Sequence, residues 1–248
     1  MSPETLTSVT ALPIPVTMLI MLGLLAGVYR AARVLGLAAD HRASLLVKTG
    51  ALLGIWLVLG FWLGAKGVFR EVIASTIPVL SIGIVLPVVV GLALLAASET
   101  ARDVLAATPP HLLIGIQVYR IVGGIFLVLL AQGRTPGVFA IPAGWGDVLV
   151  GVTAPIVAWL YRAHAERWRG LAVLWNVVGL ADLVVAVTLG VLTAPGGLQR
   201  LALDAPNAII TSFPVVLIPA LLVPASILLH LLSLRVLRVG ATRELVAA

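Results

Sequence analysis

Residues 112–130 read LLIGIQVYRIVGGIFLVLL. A helix needs about 20 apolar residues to cross the roughly 30 Å hydrocarbon core of a bilayer, and this run has the length. It nevertheless carries Gln117 and Arg120 near its centre, three residues apart and therefore on one face of a helix. An ionisable side chain in such a run is costly in hydrocarbon and faces a bundle interior or a water-filled cavity. The stretch thus predicts a membrane span together with a polar interior for the span to face.

Working outward, comparable runs lie at about 12–29, 45–63, 72–97, 143–161, 171–192 and 215–234. They are continuous rather than alternating, which selects helices over the strands of a barrel. The expected fold is all-α: a polytopic integral membrane protein with a seven-helix bundle, one domain over residues 1–248. Composition agrees. The chain is 61% hydrophobic and only 10% charged, against about 25% charged for a soluble domain, and its mean hydropathy is +1.16. Too few charged residues remain to cover a water-facing surface, so soluble enzymes, DNA-binding domains and disordered chains are excluded. The N-terminal stretch carries Glu4 and lacks a basic region, so the first run is expected to be a retained span rather than a cleaved signal.

Orientation follows from lysine and arginine. One side of the expected topology receives Arg30, Arg33, Arg42, Lys48, Arg102, Arg162, Arg167, Arg169, Arg235, Arg238 and Arg243. The other receives Lys66, Arg70, Arg134 and Arg200. The richer side is expected to be cytoplasmic, with the N-terminus outside, the C-terminus cytoplasmic and the chain in the cell membrane. This bias, rather than nucleic acid, accounts for the net charge of +6. Trp62, Trp145 and Phe213 fall at expected outer ends, and Tyr29, Trp159, Tyr161 and Trp168 at inner ends, where amphipathic rings anchor in headgroups. Prolines cluster at 214, 219 and 224, which predicts a bent seventh helix. Gly23/Gly27, Gly50/Gly54 and Gly60/Gly64 permit close helix approach, within the bundle or in a homo-oligomer or with a membrane partner.

The polar groups inside the runs are few: Gln117, Arg120, Asp147, Asn176, Asp182 and His230. Helical spacing places Gln117, Arg120 and Gly124 on one stripe. Asp147, Gly151 and Ala154 make a second, Trp175, Gly179 and Asp182 a third, and Ser226, His230 and Ser233 a fourth. These stripes are expected to converge. Arg120 and Asp182 fall at similar depth. Asp147 is expected only 5–6 Å below the outer end, at about 1.5 Å per residue, as the water-accessible carboxylate. One arginine against two aspartates leaves a spare negative charge, which a bound cation, a proton or water must meet.

Other chemistries find little support. A retinal Schiff base needs a lysine deep in the bundle, and Lys48 and Lys66 lie at span ends. A b-type haem needs two facing histidines, for which His111 and His230 are the candidates. No His-Glu-x-x-His motif or phosphate-binding loop occurs. The absence of cysteine removes thiolate metal sites, iron–sulfur clusters and a cysteine nucleophile. The sequence therefore predicts no cofactor and no catalytic group. It points to a small transporter, permeation protein or binder of a small polar solute or ion, using Gln117, Arg120, Asp147, Asn176 and Asp182. A non-catalytic scaffold or subunit is the alternative reading, and a membrane-embedded haem protein or enzyme a third. The partners expected are the bilayer and a small solute or ion, and not nucleic acid.

Overall fold

A computed structural model describes residues 3–73 and 77–247, with side chains over 7–72 and 77–239. Residues 74–76 of the expected third span, the side chain of Arg243 and that of Glu4 lie outside the described residues. Among those described, seven helices are long and apolar enough to cross a membrane: Thr7–Val34, Ala39–Ala65, Val79–Ala97, Pro110–Ala131, Gly137–Ala163, Ala165–Thr193 and Ile218–Val239. A short amphipathic helix, Glu99–Ala106, joins the third to the fourth. Its start is fixed by Ser98, whose hydroxyl accepts the Ala101 N–H.

Several helices run past the expected apolar runs, the second and sixth starting about six residues early at Ala39 and Ala165, and two further starts are set by a proline. The third helix starts at Val79 rather than near 72. Val72–Ile73 and Ile77–Pro78 pair as short antiparallel strands, and extended Pro78 then caps the helix. The fifth starts at Gly137 after extended Pro136, so Pro142 lies inside it. Trp145 and Asp147 consequently sit deeper than the sequence suggested.

Two helices are irregular where they meet the bundle axis. The fourth tightens into a 3-10 helix over Ile116–Gly124. Side chains three apart eclipse in that conformation, so Gln117, Arg120 and Gly123 form one buried row. Gly124, placed on this stripe by α-helical spacing, instead meets Val148. The seventh opens into a π turn over Ile218–Leu222, at Pro219 and just before Pro224.

Burial is inverted relative to a water-soluble protein. Leu19, Leu22, Val58, Leu149 and Trp159 are exposed, while Thr17, Gln117, Arg120, Asn176, Ser226, His230 and Ser233 are buried. Cross-chain contacts show which loops share an end. Arg70 Nη2 donates to Ser212 Oγ at 3.3 Å and Thr135 Oγ1 to Asn207 Oδ1 at 3.0 Å, which gathers the loops after the second, fourth and sixth helices. At the other end Arg169 Nη2 donates to Leu237 O at 2.5 Å, and Ile114, Val157, Ala172, Trp175 and Leu237 pack into a closed apolar plug.

Candidate functional site

The site forms where the fourth, fifth, sixth and seventh helices meet. Glycines let them approach. A Cβ on Gly151 would stand 2.6 Å from the backbone N of Ile121, so the fifth helix lies against the main chain of the fourth. A Cβ on Gly146 would overlap the Asp182 carboxylate, one on Gly123 the Asp147 carboxylate, and one on Gly179 the His230 ring. The absent side chains make the volume that the charged groups occupy.

The late start of the fifth helix also sets the depth of its aspartate. From the helix limits, Asp147 lies roughly 15 Å below Gly137 and Asp182 roughly 16 Å below Thr193 at 1.5 Å per residue. The two carboxylates are therefore level. Arg120, 2% exposed, lies between them. Its Nε donates to Asp147 Oδ1 at 2.7 Å, Nη2 makes an ion pair with the same oxygen at 2.7 Å, and Nη2 also donates to Asp182 Oδ2. Nη1 donates to Gly179 O at 3.3 Å and to His230 Nε2 at 3.2 Å. All three guanidinium nitrogens thus donate, in four hydrogen bonds.

This geometry fixes the histidine tautomer. Nε2 accepts from arginine, so Nδ1 carries the proton and donates to Asn176 Oδ1 at 3.0 Å. Asn176 Nδ2 donates to Ala172 O at 2.7 Å and Ser233 Oγ at 3.1 Å. The Trp175 ring lies 5.1 Å from the imidazole, centroid to centroid, and its Nε1 donates to Thr153 Oγ1 at 2.9 Å. Further along the row, Gln117 Nε2 donates to Ser226 O at 3.4 Å, and Tyr119 Oη pairs with Ser226 Oγ at 2.6 Å. Gln117 Oε1 is buried with no hydrogen-bond partner among the described residues.

A cavity of about 150 Å³ leads to this cluster from the Arg70 end. Phe69, Arg70 and Glu71 stand at its mouth. Its walls are Phe126, Phe139, Ile84, Leu183, Val187 and Ile218, and Asp147 is the charged residue it reaches on the fifth helix. Beyond, the Trp175–Leu237 plug closes the bundle.

The structure brings together Gln117, Arg120, Asp147, Asn176, Asp182 and His230. His111 is set apart. It begins the fourth helix, partly exposed, and the charges acting on it are Arg162 and Arg30. A haem iron at His230 would have to displace Arg120 or Asn176. Among the described residues no group of three or more His, Asp or Glu side chains is placed to hold a metal ion. The expectation that Asp147 is the outer, water-accessible carboxylate does not hold: the helix starts at Gly137, so Asp147 is buried at the level of Asp182, whose side chain is slightly the more exposed, and its Oδ1 anchors Arg120. Tyr119, Gly123 and Gly146 were not singled out from sequence. The three-residue interval from Gln117 to Arg120 to Gly123 was the available signal for one of them.

Fold and site together define a class, a seven-helix bundle with lipid-compatible flanks and one arginine held between two carboxylates at its centre. Residues 77–238 match the family described as Domain of unknown function (DUF8737), and the chain belongs to that family. No curated protein and no solved structure matches it. The matched region holds the whole Arg120 cluster and omits the first two helices, of which the second buries only Gly60 and Gly64.

Proposed function

We propose that the chain is a multi-pass protein of the cell membrane, a small transporter that binds a solute at Asp147 and carries it past Arg120. The observation that carries this reading is the cavity, which reaches Asp147 of the charged cluster from one end, while a packed apolar plug lies at the other end of the bundle. That is the form of a binding site open to one side only. In the proposed orientation the cavity mouth is external, because Arg70 and Arg134 belong to the arginine-poor end. The π turn of the seventh helix, with Ile218, Pro219 and Val223 on the cavity wall, supplies the segment that rearranges.

Alternating access has a direct test, and the chain lacks cysteine, so single cysteines can be read without background. Ala143→Cys in the cavity is expected to react with a membrane-impermeant maleimide from outside. Ala154→Cys, fully buried near the plug, is expected to react slowly from inside. If Ala154→Cys stays inert from both sides while Ala143→Cys reacts, the protein does not alternate.

The dense hydrogen bonding of Arg120 to three helices favours a second reading, in which the cluster only fixes helix neighbours in a scaffold. Conservative Arg120→Lys separates the two. A transporter loses flux while assembling normally, and a scaffold loses assembly first.

A further inference from the structure

We infer that the occupant of the cavity is a compact organic monocation with an apolar body, an aryl- or alkylammonium, seated with its charge at Asp147. This rests on the cavity being a solute site, as proposed above, and adds the class of solute.

Charge comes first. The cluster holds one guanidinium, two carboxylates and an imidazole that accepts from the guanidinium and so is uncharged. The excess is one negative charge. The cavity meets that excess at Asp147, whereas Arg120 is 2% exposed and does not line it. Arg70 and Glu71 at the mouth offset each other, and past them an incoming anion meets Asp147 before it meets Arg120. Both guanidinium contacts of Asp147 fall on Oδ1, and Oδ2, which lies beside Gly123, receives no donor among the described residues. An ammonium N–H fits that acceptor, and charge-assisted bonds of this kind are the strong ones.

The walls decide the rest. Phe126, Phe139, Leu183, Val187 and Ile84 offer no hydrogen bonds, and beyond the mouth only the hydroxyls of Ser81 and Thr211 do, the latter already donated to Ala208 O, too few to replace the water of a sugar or a hydrated metal ion. An apolar cavity of about 150 Å³ accommodates a benzene ring, and this one has that volume. One ring or a short branched alkyl group with a single ammonium fills it.

The test uses the full chain in lipid nanodiscs, titrated calorimetrically with 2-phenylethylammonium, 2-phenylethanol, 3-phenylpropionate and methylammonium. The expected result is that phenylethylammonium binds at least about tenfold more tightly than the other three. Asp147→Asn is expected to bring it down to the level of the alcohol. Ala186→Leu, which narrows the wall without touching a charge, is expected to abolish binding and keeps the test readable if Asp147→Asn fails to fold. Equal binding of alcohol and ammonium, both lost in Ala186→Leu, overturns the cation class while the cavity site stands. Tighter binding of phenylpropionate overturns the charge assignment, and methylammonium binding as tightly as phenylethylammonium overturns the apolar body. Binding of none of the four also overturns the class, while alternating access stands or falls separately on the cysteine labelling.

Discussion

A single guanidinium organises the centre of this protein, and its removal has a calculable direction. Without Arg120, two level carboxylates face each other with no cation between them. Breaking a buried ion pair from one side costs about 3–5 kcal/mol, whereas replacing all partners with neutral groups of similar volume is far cheaper. Arg120→Ala is therefore expected to lower the unfolding midpoint in detergent more than Arg120→Leu/Asp147→Asn/Asp182→Asn does. A combined variant at least as unstable as the single one would show that the charges are not coupled. Gly146→Ala probes the same cluster from the backbone side, because its Cβ would overlap the Asp182 carboxylate. That variant is expected to mimic loss of Asp182 in the same assay, and a wild-type midpoint would count against the packing described. Most of this centre was legible in the sequence, since ionisable side chains in long apolar runs have few places to go. The exact partners were not legible, because Gly123, Gly146 and Gly179 act by what they lack.

At the scale of helices, the fourth and fifth make the decisive pair. Gly151 faces backbone rather than a flexible side chain, with a Cβ distance of 2.6 Å to Ile121 N. Gly151→Ala must push the helices apart, and overpacking of this kind costs about 1–3 kcal/mol. Gly54 has nothing within 4 Å of its Cβ position. Gly54→Ala is therefore expected to be neutral or to stabilise by up to about 1 kcal/mol through helix propensity. Parallel melts of the two variants check this, and equal effects would mean that the close approach is absent. Apolar run length found each helix, but not where the fifth begins. The stretch before Ala143 is turn-rich in composition, and only extended Pro136 starts the helix early at Gly137. That shift of six residues moved Asp147 from the rim to the level of Asp182. The 3-10 stretch of the fourth helix was equally hidden, because hydrophobic spacing over nine residues does not separate a three-residue period from 3.6.

Over the whole molecule, the grouping of loops and the distribution of charge are independent, and together they yield a test of orientation. Contacts decide the grouping: Arg70 with Ser212 and Thr135 with Asn207 gather one end, and Arg169 with Leu237 marks the other. Arg134 and Arg200 then belong to the first end and Arg167 to the second, and all three are exposed. Arginine-rich short loops stay cytoplasmic, so the second end is expected inside. Arg134→Cys and Arg200→Cys should react with an impermeant thiol reagent on intact cells, and Arg167→Cys only after the cells are opened. Two failures are distinguishable. If Arg134→Cys and Arg200→Cys disagree with each other, the loops do not share an end and the fold is at fault. If they agree with each other but are protected while Arg167→Cys reacts, the fold stands and the protein is inverted. In that case the cavity mouth faces the cytoplasm, Asp147 is reached from inside, and the proposed direction of solute entry reverses with it.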